Sequence, residues 1–306
     1  MNVLVATDKP FAKEAVDGIK NIITQAGFNL TLLEKYKTKE ELIQAVKNSN
    51  AVIIRSDIID KEVIEQAENL KIVVRAGAGY DNIDINACSA KGIIAMNTPG
   101  QNANAVAELV FGLVLNHIRN YYDGSVGTEL RGKTIGVHAY GYIGKIVARI
   151  AKGFGMEVYA YDPFIDKETM MNSGVNACCT VEELYKKCQY ISLHIPATDQ
   201  TKKSINYQLL SSMPKNAVLI NTARAEVINE NDLLKIFEQR QDFSYISDIA
   251  PDCKTEIESK YKGRYYFTTK KLGAQTEEAN INAGLAAAKQ IVAFFINGDR
   301  TFQVNR

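Results

Sequence analysis

Short β-branched runs alternate with longer helical stretches from one end of the chain to the other. Asn2–Ala6, Ala51–Ile54, Lys71–Val74, Thr134–Val137, Glu157–Tyr161, Tyr190–Leu193, Ala217–Asn221 and Tyr245–Asp248 read as strands. Between them, stretches such as Lys13–Ala26, Lys39–Asn48, Lys145–Phe154 and Asn231–Gln239 carry helical patterns. Strand and helix in strict alternation mean parallel sheets flanked by helices, the α/β class, because a parallel neighbour is reached only through a crossover. The pattern fits two successive Rossmann-like, doubly wound units meeting near residue 100 better than one large sheet.

The crossing falls at Asn97-Thr98-Pro99-Gly100, a turn-forming cluster that leads into a helix beginning near Asn102. From Ala103 to Leu115 that helix is apolar except for Asn104, Glu108 and Gly112, which recur every four residues as one narrow stripe. A helix so apolar must be covered on nearly all sides. It is either a central core helix or one shared between domains and between two subunits, and the second reading predicts a homodimer built on 102–118.

Composition narrows the classes. The length of 306 residues suits two domains, and 46% hydrophobic with 23% charged residues excludes a disordered chain. Thirty-six Lys and Arg oppose 35 Asp and Glu for a net charge of +1, so neither nucleic acid nor an acidic membrane is expected as a partner. No stretch reads as apolar enough for a membrane span, and the N-terminus lacks the basic-then-apolar pattern of a signal peptide. Five cysteines in no metal-like spacing read as reduced thiols in a cytoplasmic protein, with no metal site. There are only three histidines.

The segment Gly132–Gly144 reads as a strand turning into a helix, with Ala139-x-Gly141-x-x-Gly144 in place of G-x-G-x-x-G. In such a turn the second glycine lets a pyrophosphate approach the backbone, and the third allows helix to pack closely on strand. The helix N-terminus offers free N–H groups and a positive dipole end to the phosphates. Alanine serves at the first position provided its φ stays negative. Eighteen residues past Gly144, Asp162 ends the next strand at the spacing used for the adenosine ribose hydroxyls. A carboxylate there repels a 2′-phosphate, so the expected cofactor is NAD. The plain alternative makes Asp162 a turn residue ahead of Pro163.

These residues, with Val74-Arg-Ala-Gly-Ala-Gly-Tyr-Asp-Asn-Ile-Asp84, Ala107-Glu-Leu, Ser192-Leu-His-Ile-Pro196, Asn221-Thr-Ala-Arg224, Ser247-Asp-Ile249 and Gly273-Ala-Gln-Thr-Glu-Glu278, resemble the D-2-hydroxyacid dehydrogenase family over almost the whole chain. Within it the chain is most similar to short-form D-3-phosphoglycerate dehydrogenases of a lysine-bearing subgroup. The resemblance implies a discontinuous substrate-binding lid domain, 1–98 with 276–306, and an NAD-binding domain, 99–275, with the active site in the cleft between them. It also implies that a chain stopping at Arg306 lacks the C-terminal regulatory domains of longer relatives. Arg224 matches the catalytic arginine, whose guanidinium fork holds a substrate carboxylate and carbonyl. Asp248 matches the aspartate that holds the nicotinamide carboxamide. Tyr142 and Ile143 in the nucleotide turn, Thr222, and His194 with Pro196 fall on the cofactor side. Ala76-Gly77-Ala78 is either an anion nest for a carboxylate or an ordinary tight turn. Arg55, Ser56 and Arg75 fall where phosphoglycerate enzymes contact the substrate phosphate.

The resemblance breaks at the acid/base. The family uses a His–Glu pair to exchange the hydroxyl proton, but Lys271 stands at the histidine's position and Cys253, beside Asp252, at the glutamate's. Lys271 as acid/base, Lys270 by a shift of register, and loss of catalysis are the three explanations. The first is coherent because lysine, unlike histidine, needs its pKa lowered, by burial and the charge of Arg224, and a glutamate partner would act the wrong way. The function so implied is NAD-dependent oxidation of 3-phosphoglycerate to 3-phosphohydroxypyruvate, the first step of serine synthesis. The alternatives are another D-2-hydroxyacid dehydrogenase, such as a glyoxylate or hydroxypyruvate reductase, and a non-catalytic NAD-sensing interaction protein.

Overall fold

Among the residues that the computed structural model describes, 1–305, every pairing between named strands is parallel. The strands are β1 (Asn2–Thr7), β2 (Asn29–Glu34), β3 (Ala51–Ile54), β4 (Ile72–Arg75) and β5 (Ile94–Asn97) in a first sheet. A second sheet holds β6 (Thr134–His138), β7 (Glu157–Tyr161), β8 (Asn176–Ala177), β9 (Tyr190–Leu193), β10 (Val218–Asn221), β11 (Ser244–Ser247) and β12 (Tyr265–Phe267). The orders are β2-β1-β3-β4-β5 and β12-β11-β10-β9-β6-β7-β8, both doubly wound. Two units result: Met1–Asn102 with the segment from Gln275 on, and Ala103–Ala274.

The eight strands expected from sequence are the interior strands of these sheets; the four that sequence did not show are the four edges. An interior strand of a parallel sheet is covered on both faces and reads as a continuous apolar run. The edges β8 and β12 are two and three residues long, and the edge β2 is exposed at four of its six positions and half-buried at the other two. The edge β5 is fully buried but reads Ile-Ala-Met-Asn, without the β-branched signature. Its outer side is covered by the tail, where Val304 N–H donates to the Ala95 carbonyl and Ala95 N–H to Asn305 Oδ1.

Two helices depart from what their sequences suggested. Helix Tyr142–Gly153 begins three residues earlier than its pattern indicated, so that Gly141 is its N-cap. Helix Glu277–Asn297 overturns the expectation that no stretch could span a membrane: it is long and apolar enough by length and composition. Asn280, Asn282, Gly284, Lys289 and Gln290 interrupt its apolar residues and hide the run from inspection. In the fold it packs in the first unit, burying Ala279, Ala283, Gly284, Ala287, Ala288 and Ile291, with Phe11 and Ile19 against Gly284.

Candidate active site

In the second unit the sequence-predicted residues all emerge at the carboxyl ends of consecutive strands. Lys271 follows β12, Asp248 β11, Arg224 β10, His194 β9, Ala139–Gly144 β6, and Asp162 β7, in that order along one edge. The chain winds one way from β6 through β7 to β8 and the other way from β9 to β12, so the switch point lies between β6 and β9. That is where a doubly wound sheet opens a crevice for a ligand.

The nucleotide turn differs from expectation at its first residue. Ala139 has φ +81°, in the left-handed region, not the negative φ that alanine prefers. The neighbourhood imposes it. Ala139 N–H donates to the Tyr161 carbonyl at 2.9 Å, and its own carbonyl packs so closely over Gly144 that a Cβ there would collide with it. Asp162 completes the turn: Oδ2 accepts from Tyr140 N–H and Oδ1 from Phe164 N–H, each at 2.8 Å. The turn and the acidic residue are thus one structure. Gly141 faces open space, where an added Cβ would meet nothing within 4 Å, and the helix it starts has no side-chain cap. A backbone cradle and a bare helix N-terminus fit a pyrophosphate, and Asp162 beside them fits a ribose.

Two orphaned polar atoms lie on the same edge. Among the described residues, His194 Nδ1 and Thr222 Oγ1 are buried without a hydrogen-bond partner, an arrangement that costs free energy unless a ligand satisfies it. The other ring nitrogen of His194, Nε2, lies 2.9 Å from Ser192 Oγ. Burial pushes the ring down to about 3, with His138 adding to the effect, so His194 is neutral and unfit as a general acid at neutral pH. Burial likewise takes His117 and His138 to about 4.

Arg224 follows β10 on a turn that Asn221 fixes: Ala223 N–H donates to Asn221 Oδ1 at 3.0 Å, and Asn221 Nδ2 donates to the Arg224 carbonyl at 2.9 Å. It borders a cavity of about 710 Å³, also lined by Lys203, Glu226, Glu230, Ile249 and Asp252. Glu230, which sequence reasoning missed, holds the backbone beside the glutamate's family position: its two oxygens accept Asp252 N–H at 2.9 Å and Cys253 N–H at 2.8 Å. Burial and the adjacent Glu230 push the Cys253 thiol up to about 12, which removes it as a base.

Asp248 is fully buried, and its carboxylate holds the chain's own loop. Oδ1 accepts Leu272 N–H at 2.7 Å and Oδ2 accepts Gly273 N–H at 2.8 Å. Gly273 packs tightly there: a Cβ would stand 3.1 Å from Asp248 Oδ2 and 3.2 Å from Val106, so a side chain would press on the carboxylate. Thr268, also missed from sequence, lies under the same loop. Lys271 itself is exposed, contrary to the burial expected of it; the loop that carries it crosses the open end of the sheet.

In the first unit, Arg55 and Ser56 follow β3 and Arg75 ends β4, so both arginines sit at carboxyl strand ends near the β1/β3 switch point. Much of the Arg55 fork is occupied: it donates to the Lys9 and Pro10 carbonyls and to Asn280 Oδ1, and stacks over Phe11. Arg75 donates to the Arg55 and Gly79 carbonyls, and its guanidinium lies where a Cβ on Gly77 would be. Thr98 N–H and Asn97 Nδ2 take the Gly77 and Ala78 carbonyls at 2.9 and 2.6 Å. The carbonyls of 77–79 all accept from donors of the fold, but Ala76 N–H and Gly77 N–H themselves donate to the Ile54 and Arg75 carbonyls at 2.8 and 2.9 Å, so two amides of the expected anion nest are engaged within the fold.

Known proteins resemble this chain in sequence and fold. Residues 114–261 match the family model "D-isomer specific 2-hydroxyacid dehydrogenase, NAD binding domain". The chain is 36% identical to D-3-phosphoglycerate dehydrogenase of Methanocaldococcus jannaschii over 83% of its own length and 51% of the relative's. It is 31% identical to hydroxypyruvate reductase of Thermotoga maritima over 94% of its length and 96% of that protein's. Among solved structures it resembles NAD+-bound 3-phosphoglycerate dehydrogenase of Entamoeba histolytica, with 48% identity, TM-score 0.88, and coverage of 100% of this chain and 99% of that one. The chain spans about half the length, 51% and 57%, of the first curated relatives it matches.

Proposed function

The chain belongs to the D-isomer specific 2-hydroxyacid dehydrogenase family, and from that premise we propose that it is an NAD-dependent 3-phosphoglycerate dehydrogenase acting in the cytoplasm as a homodimer. The observation that carries the reading is the line of Lys271, Asp248, Arg224, His194, the glycine turn and Asp162 along one sheet edge. The turn, the start of helix Tyr142–Gly153 and Asp162 hold the dinucleotide, and Thr222 and His194 supply polar atoms that the fold leaves unpaired. When bound, NAD supplies the hydride acceptor.

The protein's own residues orient the substrate and move its proton. Arg224 binds the carboxylate and carbonyl of the 2-hydroxy acid. Arg55, Ser56 and Arg75 answer to the phosphate. In oxidation the neutral Lys271 amine takes the hydroxyl proton; in reduction its ammonium returns it.

A substrate profile tests the proposal. With NAD, turnover per KM for 3-phosphoglycerate should exceed that for unphosphorylated 2-hydroxy acids, and NADP should serve poorly. Lys271→Met should cut turnover about 10²–10⁴-fold and leave NAD affinity nearly unchanged, while Lys270→Met should do much less. Near-normal turnover in a folded, NAD-binding Lys271→Met protein would defeat the mechanism. Preference for hydroxypyruvate over any phosphorylated acid would favour the second reading, hydroxypyruvate reductase, which is the name of the relative matched over 96% of its length.

A further inference from the structure

An acid/base on an exposed lysine needs something to keep that lysine in one place. A lysine side chain is among the richest in rotamer freedom, and a mobile backbone beneath it would add to the spread of positions. Around Lys271 the backbone is pinned on both sides. The peptide before it is held through its carbonyl, that of Lys270, which lies 2.8 Å from Thr268 Oγ1. The peptide after it is held through its amide, that of Leu272, which donates to Asp248 Oδ1 at 2.7 Å. Gly273 N–H, one residue on, donates to Asp248 Oδ2.

The two anchors are themselves joined. Thr268 Oγ1 lies 2.8 Å from the Asp248 carbonyl and 3.1 Å from Asp248 Oδ1, so its single proton is shared among three acceptors that all belong to Asp248 or Lys270. Thr268 and Asp248 are both buried, and their strands are paired through Thr268 N–H to the Ser247 carbonyl. A fully buried carboxylate that accepts two backbone amides and a hydroxyl is a rigid, charge-assisted clamp.

We infer that Thr268 and Asp248 are positioning residues that fix the backbone of Lys271 for proton transfer. The inference rests on Lys271 as the acid/base. The family resemblance gives Asp248 to the nicotinamide carboxamide; a carboxylate shared by cofactor and loop would also make the position of Lys271 sensitive to cofactor occupancy. Among the described residues the Thr268 hydroxyl bonds only to Lys270 and Asp248, so its removal loosens the loop while leaving the Asp248 carboxylate in place.

The test uses Thr268→Val, which keeps shape and loses the hydroxyl, and Thr268→Ser, which keeps the hydroxyl. Amide hydrogen exchange of the peptide spanning 268–274, followed without cofactor, should speed up about tenfold in Thr268→Val, the effect of one lost hydrogen bond. Exchange in β9 and β10 should stay as in the native protein. Turnover should fall about tenfold with KM for the hydroxy acid and NAD affinity within twofold, and Thr268→Ser should restore both exchange and turnover. Native exchange in 268–274 of Thr268→Val would overturn the clamp, as would a Thr268→Ser protein as impaired as the valine variant. Faster exchange with unchanged turnover would overturn the positioning role. A native protein inactive on every 2-hydroxy acid would instead count against the proposed function, since the exchange measurement reads the clamp without turnover.

Discussion

At the scale of single residues, Ala139 holds the costliest conformation at the site. A left-handed alanine costs about 1–2 kcal/mol, and it persists because the Tyr161 carbonyl, the Gly144 contact and the Asp162 bracket around Tyr140 fix the turn on every side. Glycine would adopt the same φ without that penalty, offset in part by its greater freedom when unfolded. Ala139→Gly should therefore raise the unfolding free energy by about 1 kcal/mol in urea denaturation. A variant less stable than the native protein would contradict a left-handed residue at 139. The same bracket gives Asp162 two tasks, shaping the turn and presenting lone pairs to a ribose, so removing its carboxylate should disturb more than cofactor choice.

At the scale of an element, helix Ala103–Ile118 separates the two readings its sequence allowed. Val110 and Val114 are 0% and 1% exposed within the chain, so a charge at either is a core lesion and says nothing of assembly. The stripe Asn104, Glu108 and Gly112 is the exposed face, and Gly112 has open space where a side chain would project. A homodimer built on this helix would bring two such stripes together, the small residue allowing close approach. Gly112→Glu is then expected to convert a dimer into a folded monomer in light scattering at micromolar concentration, with unchanged far-UV circular dichroism. A native protein already at the mass of one chain would remove the homodimer from the proposal.

At the scale of the whole molecule, the histidines govern acid stability more than catalysis. All three have folded pKa values of about 3 to 4, below the ordinary value near 6.5, because burial disfavours their charged form. The unfolded chain therefore binds more protons than the folded one from about pH 6.5 down to about 4, and stability is lost as pH falls through that window. Buried His138 alone should contribute about 1.4 kcal/mol per pH unit, and the three together at most about 4, since His117 and His194 are partly exposed. Against a total stability of about 5–15 kcal/mol, unfolding should set in well above pH 4. Urea titrations at pH 7, 6 and 5 measure the slope. A flat profile would mean that these rings are solvated.

The order of strands and helices, the nucleotide turn and the residues at each strand end were legible in the sequence because they are local. An interior strand announces itself by unbroken apolar β-branching, a phosphate turn by its glycine spacing, and a ribose-binding acid by its distance along the next strand. Contacts between segments far apart in sequence carry no such mark, and these the tertiary structure decided. Edge strands became strands only by pairing with a neighbour. Ala139 took a positive φ because Tyr161, Gly144 and Asp162 converge on it. Glu230 came to the backbone of Cys253, and Asp248 came to Thr268 and to the loop of Lys271, across 20 or more residues of chain. Sequence placed the lysine where a histidine was expected; only the fold, by bringing a buried carboxylate and a hydroxyl under its backbone, fixed how that lysine is held.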